Sequence, residues 1–177
     1  MQKSPLENSV SREGGAPPEE STPGLTLLVL SGDMEKGVAA CNLALAALAS
    51  GTRVTIFFTF WGLNLLKKPG ARARGSFLAR LMGVLNRDHS GRQRLGRMNM
   101  LGMGRIAMAK LMKSKGLPSF HESLLLAHQM GARIVACSTT LELMGFSRES
   151  LIPEVDDVAG AATFLDAARG ATVVTLA

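Results

Sequence analysis

The fold is decided most clearly by residues 133–145, which read RIVACSTTLELMG. The apolar run that ends at Cys137 predicts a short buried strand of a parallel sheet. The residues after it predict a helix, with Ser138 or Thr139 as N-cap and Glu142 in the capping-box position. This order places Cys137 at the carboxyl edge of the sheet, which is where ligands bind in open α/β sheets.

Strands and helices alternate on both sides of this stretch. Continuous apolar runs predict strands at 25–30, 54–58 and 171–176. Helical patterns occupy 35–49, 118–130 and 156–168, and the last of these has two aspartates near its start. A further short strand is considered near 152–155. Alternation of this kind predicts a doubly wound α/β layer fold with a mostly parallel sheet.

The length and composition predict one domain with a tail. Residues 1–23 are polar and rich in Pro, Ser, Glu and Gly, which predicts a disordered tail, and residues 24–177 are expected to form a single α/β domain. Two cysteines are too few for a disulfide scaffold or a Cys-rich zinc site, and the three histidines show no metal-ligand spacing. No apolar run is long enough for a membrane span, and the N-terminus lacks a signal-peptide core. We therefore expect a cytoplasmic protein without a metal.

A basic, methionine-rich insertion interrupts the alternation at 62–117. Residues 67–115 hold thirteen lysines and arginines and a single acid, Asp88, and they account for the net charge of +6. Three interpretations stay open for this segment: a solvated surface, docking on an anionic membrane surface, and docking on an acidic protein. Nucleic acid is not expected, because the only aromatic residue there is Phe77 and base stacking needs more.

The two cysteines differ in their predicted surroundings. A helix N-terminus favours the thiolate of Cys137, which is the reactive form, although a buried structural cysteine is the alternative. Cys41 lies within the first predicted helix among small apolar residues, which indicates a core position. The alternative for Cys41 is a second thiol near Cys137, because it lies early in a helix that starts at the same sheet edge.

Several stretches together resemble a known family. They are LPSFHE at 117–122, GARIVACS at 131–138, VAGAATFL at 158–165, FTFWGL at 58–63 and MNMLGMG at 98–104. Over residues 24–177 the chain resembles the DsrE/DsrF-like family of sulfur-transfer proteins, in the branch with a long middle segment that is sometimes labelled peroxiredoxin-like. The resemblance implies a flavodoxin-like three-layer α/β fold, assembly into homo- or hetero-oligomers, with a homo-oligomer expected here, and no organic cofactor.

The resemblance also implies a sulfur-carrier function. The family cysteine, which is Cys137 here, accepts sulfane sulfur as a persulfide and passes it from a donor protein to an acceptor protein. Hydroxyls of Ser138, Thr139 and Thr140 are expected to support the anionic sulfur. The alternatives are a non-catalytic interaction module that docks through residues 67–115, peripherally at the inner membrane face, and, ranked last, a thiol peroxidase.

Overall fold

The computed structural model describes residues 24–71 and 103–177. The expected disordered tail and residues 72–102 of the expected insertion lie outside these ranges. Within the described ranges, no helix combines the length and the apolar character that crossing a membrane requires.

In the described residues, five parallel strands form the central sheet. They are β1 (Gly24–Val29), β2 (Arg53–Phe58), β3 (Arg133–Cys137), β4 (Asp157–Ala159) and β5 (Ala171–Leu176). Their order across the sheet is β4-β3-β2-β1-β5, and every neighbouring pair runs parallel. The predicted α/β fold with a parallel sheet is therefore confirmed.

Helices cover both faces of the sheet. The α-helices are α1 (Met34–Ala49), α2 (Met103–Ser114), α3 (Phe120–Gln129), α4 (Ser138–Leu143) and α5 (Ala161–Ala168), and 3₁₀ helices span Phe60–Leu66 and Arg148–Ser150. Helices α1 and α3 pack against each other on one face. Helix α5 lies on the other face, where the Thr26 hydroxyl donates to the Ala167 carbonyl at 2.8 Å and the Phe164 ring contacts Phe57. The result is a three-layer arrangement.

The two faces of the sheet carry separate apolar clusters. The larger cluster lies beneath α1 and α3 and contains Ile134, Cys41 and Leu124, all with no exposed surface. The smaller cluster, on the face of α5, contains Phe57, Val135 and Cys137. Neighbouring residues of a strand point to opposite faces, so Ile134 and Val135 belong to different clusters. Burial of each large apolar side chain contributes about 1.5–3 kcal/mol to folding.

The segment 156–168, which was predicted to be one helix, is a strand followed by a helix. The Asp156 carboxylate accepts a hydrogen bond from the Ile134 N–H at 2.7 Å, and Asp157 pairs with Arg133 at 2.7 Å. These two carboxylates hold β4 against β3 instead of starting a helix, and α5 begins only after Gly160. The short strand considered near 152–155 lies instead at Asp157–Ala159.

The connection that follows β3 and the connection that follows β4 leave the sheet on opposite faces. The connection that leaves β3 packs Leu141 and Met144 into the larger cluster. The connection that leaves β4 runs through α5 on the opposite face. In open α/β sheets, such a divergence opens a crevice at the carboxyl ends of the two strands.

Candidate functional site

Cys137 lies at the carboxyl end of β3, beside β4, where the divergence of the two connections predicts a crevice. It is the last residue of β3, it pairs in register with Ala159 of β4, and 8% of its surface is exposed. It is also the N-cap of α4, with φ −68° and ψ 117°. The prediction of Ser138 or Thr139 as N-cap was therefore wrong, because the helix begins directly after the strand without an intervening loop residue.

Two threonine hydroxyls meet beside Cys137. Thr59 follows β2 directly, and Thr140 lies in the first turn of α4. Their hydroxyl oxygens are 2.9 Å apart, and the Phe60 N–H donates to the Thr140 hydroxyl oxygen at 3.3 Å. Both threonines are at least nine-tenths buried. The loop after β2 and the helix after β3 are thus joined through a polar contact in an otherwise apolar setting.

The polar groups around Cys137 favour its thiolate. Burial is the largest single influence and raises the pKa of the thiol. The hydroxyl and N–H of Thr140, the hydroxyl of Thr59 and the N–H of Thr139 act in the opposite direction as hydrogen-bond donors. Their sum exceeds the effect of burial, so the pKa of Cys137 lies below that of an ordinary thiol. This direction favours the thiolate, which is the nucleophilic form of a cysteine.

The three predicted supporting residues occupy different places. Thr140 contributes its hydroxyl and its N–H, and Thr139 contributes its N–H. Ser138 faces the start of α5, where a Cβ added to Gly160 would lie 3.8 Å from the Ser138 hydroxyl oxygen. The structure thus brings Thr139 and Thr140 to the Cys137 sulfur and sets Ser138 on the β4 side of the crevice.

The family assignment rests on a match that spans almost the whole chain. The model of the DsrE/DsrF/DrsH-like family matches residues 21–176. The chain belongs to this family. The family that the sequence resemblance indicated is therefore confirmed, and the parallel α/β sheet agrees with it.

Two relatives of this DsrE/DsrF-like chain align along most of their length. The uncharacterized protein YrkE of Bacillus subtilis (strain 168) is 32% identical over 152 residues, which is 85% of this chain and 95% of YrkE. The sulfur carrier protein DsrE2 of Allochromatium vinosum is 31% identical over 153 residues, 80% of this chain and 90% of DsrE2. Among solved structures, MTH1491 of Methanobacterium thermoautotrophicum, a protein of unknown function, matches with a TM-score of 0.49 and 14% identity, covering 86% of this chain and 98% of its own.

The second cysteine of this DsrE/DsrF-like chain is remote from the crevice. Cys41 has no exposed surface, and burial raises the pKa of its thiol to about 12. Its thiol donates to the Phe120 carbonyl oxygen at 4.0 Å. Cys41 belongs to the cluster beneath α1 and α3, whereas Cys137 belongs to the cluster on the other face. The geometry therefore does not bring the two thiols together.

The histidines of α3 make ion-pair contacts away from Cys137. His128 contacts the Asp156 carboxylate at 2.9 Å, and His121 lies 3.9 Å from Glu154. In residues 24–71 and 103–177, no group of three or more His, Cys, Asp or Glu side chains is placed to hold a metal ion. These contacts fasten α3 to the segment that leads into β4.

Sequence reasoning missed Thr59. Thr59 and Cys137 are far apart in the chain, and they meet because β2 and β3 are neighbours with Phe58 beside Ala136. One signal was available: Thr59 is the first polar residue after a buried strand, just as Ser138 and its neighbours follow Cys137. Polar residues at the carboxyl ends of neighbouring parallel strands converge on one edge of the sheet.

Proposed function

We propose that this protein is a sulfur carrier that holds sulfane sulfur as a persulfide on Cys137 and passes it to a partner protein. The observation that carries the proposal is the thiol of Cys137, which lies at the β3–β4 crevice among donors that favour its thiolate. The name of the relative DsrE2, a sulfur carrier protein, supports the same chemistry. Sulfur donor and acceptor proteins are the partners that such a role requires.

The proposed transfer is a nucleophilic exchange at sulfur. The Cys137 thiolate attacks the outer sulfur of a donor persulfide, a new S–S bond forms on Cys137, and the donor leaves as a thiolate with the electron pair of the broken bond. In the second step the thiolate of an acceptor attacks the outer sulfur on Cys137. Cys137 is then released as a thiolate. Neither step changes the total oxidation state, so the exchange needs no further oxidant or reductant.

The test is intact-mass measurement after sulfur loading. The protein is incubated with polysulfide, or with thiosulfate and a sulfurtransferase, and compared with Cys137→Ser and Cys41→Ser. We expect the native protein and Cys41→Ser to gain the mass of one sulfur atom, reversibly on reduction. Cys137→Ser is expected to gain none. Loading that survives in Cys137→Ser, or that requires Cys41, would contradict the proposal.

The two alternatives from the sequence stay predictions with their own tests. The arginines proposed for membrane docking, at 72, 74, 80 and 87, lie outside the described residues. At the start of that basic segment, Lys67 is only 2% exposed and its Nζ lies 4.6 Å from the centre of the Phe146 ring. Lys67 therefore packs inside the fold and adds nothing to a basic surface. Thiol peroxidase activity would require Cys137 to react with peroxide well above the rate of an ordinary thiol.

A further inference from the structure

The two edges of the sheet differ in length and in charge. At one edge, β4 has three residues and carries Asp157, which pairs with Arg133 at 2.7 Å. At the other edge, β5 has six residues with the sequence ATVVTL, which contains neither a charge nor a proline. Short length, charges and proline are the features that keep a foreign strand from pairing with an edge. The β4 edge has two of these features, and β5 has none.

The side chains of β5 are also incompletely covered. Among the described strands, β5 has β1 as its neighbour on one side and no strand on the other. Val173 pairs with Thr26 on the face of α5, and 46% of its surface is exposed. Thr172, which points to the opposite face, is exposed as well. Strand β5 is therefore open on both faces and along one side.

Helix α1 continues this open surface on one face of the sheet. Residues 37–49 of α1 contain no charged side chain, and Leu43 is 42% exposed. Cys41 faces α3, which contacts the segment before β4. Two residues along an α-helix correspond to a rotation of about 200°, so Leu43 lies on the side of α1 turned away from α3 and toward β5. A helix without a charged outer face is typically a covered helix.

Helix α5 continues the surface on the other face. It lies over β1 and β5, and none of its eight residues is buried. Leu165 is 61% exposed. The one charged residue of this helix, Asp166, pairs with Arg169 at 3.4 Å, which leaves no net charge there. Helix α1, strand β5 and helix α5 thus present one uncharged surface at the end of the sheet, and we call this surface the β5 edge.

We propose that the β5 edge binds a second copy of this chain, with the two β5 strands side by side and antiparallel. A two-fold axis perpendicular to the sheet then packs α1 against α1 of the copy and α5 against its α5. Such an interface must be complementary to itself, and an uncharged strand rich in β-branched residues meets this condition. The chain carries a net charge of +6, so two copies approach each other most easily through an uncharged surface.

The β5 edge is large enough for a stable dimer. Six strand residues at about 3.3 Å each give a length of about 20 Å. Three layers of about 10 Å each give a thickness of about 30 Å. The flat footprint is therefore about 600 Å² before the relief of the side chains is counted, and a standard interface buries about 800 Å² per partner. Pairing of the two β5 strands adds backbone hydrogen bonds to the apolar contacts.

The test is the mass of the full chain in solution, measured by sedimentation velocity over a series of concentrations. Val173→Lys and Leu165→Lys each place a charge on the β5 edge. Leu126→Lys is the matched control, because Leu126 lies on α3 and is 46% exposed, the same fraction as Val173. Circular dichroism verifies that each variant is folded, and Leu43→Lys takes the place of a variant that does not fold.

We expect the native chain and Leu126→Lys to form a dimer or an assembly of dimers. Val173→Lys should raise the dissociation constant at least about 100-fold, because each dimer buries the lysine twice, and Leu165→Lys should act in the same direction. A native chain that is monomeric at every concentration overturns the proposal. So does an assembly with an odd number of copies, one that survives both substitutions, or one that Leu126→Lys dissociates to the same extent.

Hydrogen exchange separates pairing of the β5 backbones from contact between side chains alone. Amides of residues 171–176 should become more protected as the concentration rises, and Val173→Lys should remove this gain. Amides of β4 are the control and should not change. A dimer without added protection in β5 overturns the strand pairing. Neither measurement uses a sulfur donor or a thiol reagent, so the outcome is independent of sulfur transfer by Cys137.

Discussion

The two cysteines should differ strongly in their reaction with iodoacetamide in the folded protein. Burial raises the pKa of Cys41 to about 12, whereas the donors around Cys137 lower its pKa below the ordinary range. An ordinary thiol with a pKa of 9.0 is roughly 1% thiolate at pH 7, and a thiol at about 12 is roughly 0.001%. Because the pKa of Cys137 lies below that of the ordinary thiol, the thiolate populations differ by about 1,000-fold or more.

A more basic thiolate is also a better nucleophile, and this effect opposes the difference in population. With a Brønsted coefficient of about 0.4–0.5, the pKa gap of about 3 between an ordinary thiol and Cys41 favours the Cys41 thiolate by roughly 15- to 30-fold. The difference in thiolate population is larger, and Cys137 should react at least about 30-fold faster at pH 7. The absence of any exposed surface on Cys41 adds to this ratio.

The assay is quenched-time-point alkylation followed by peptide mass mapping between pH 5.5 and 9. The same measurement in guanidinium, where both thiols are exposed, is the control and should give similar rates. Cys137→Ser should leave the folded chain almost unlabelled. Comparable folded-state labelling of Cys41 and Cys137, or a Cys137 profile centred above that of a free thiol, would refute the electrostatic reasoning.

Three further predictions concern residues that support the backbone around the site. Gly62→Ala should destabilise the fold by about 3 kcal/mol in urea unfolding and slow Cys137 alkylation, because the new Cβ would overlap the Val29 carbonyl oxygen at the end of β1. Native-like stability of this variant would show that the 3₁₀ helix shifts freely. Phe60→Gly should be more stable than Phe60→Ala by about 1 kcal/mol, the reverse of the usual order, because φ at this position is +46°. Greater stability of Phe60→Ala would contradict a strained backbone at this position. Asp156→Ala should cost about 1–3 kcal/mol, since it leaves the Ile134 N–H unpaired, and an effect no larger than that of the exposed Asp166→Ala would contradict this role.

The positions of the strands along the chain were predictable because the buried strands are continuous apolar runs. The runs at 25–30, 54–58, 134–137 and 171–176 each became a strand within one or two residues of the predicted bounds. Burial of β2 and β3 on both faces leaves no alternation in their sequences that could be mistaken for a surface strand, and the glycines that end the helices separate the elements.

The misassigned segment shows where local reasoning fails. Two adjacent aspartates before an alanine-rich stretch are typical of a helix start, yet Asp156 and Asp157 bond to Ile134 and Arg133 on β3. Their partners lie more than twenty residues away in sequence, so no local rule distinguishes the two uses of the same side chains. The three-residue strand β4 has no apolar run long enough to predict a strand from the sequence.

The predicted position of Cys137, at the end of a strand and the start of a helix, agrees with the structure, whereas its predicted surroundings lacked Thr59. The position of Cys137 follows from one strand and the helix after it, which are local features. The donors come from Thr140, also local, and from Thr59, which depends on the pairing of β2 with β3. Prediction of Thr59 requires the order of the strands across the sheet, which the sequence alone leaves open.

Stabilisation of the Cys137 thiolate has different consequences for the two steps of the proposed transfer. During loading, a lower pKa increases the thiolate population but reduces the nucleophilicity of each thiolate, so the gain is partial. During discharge, Cys137 is the leaving group, and a thiol of lower pKa leaves faster. The donors on Thr59, Thr139 and Thr140 act on the sulfur that becomes this leaving group. In the proposed transfer, the lowered pKa of Cys137 therefore assists both loading and discharge.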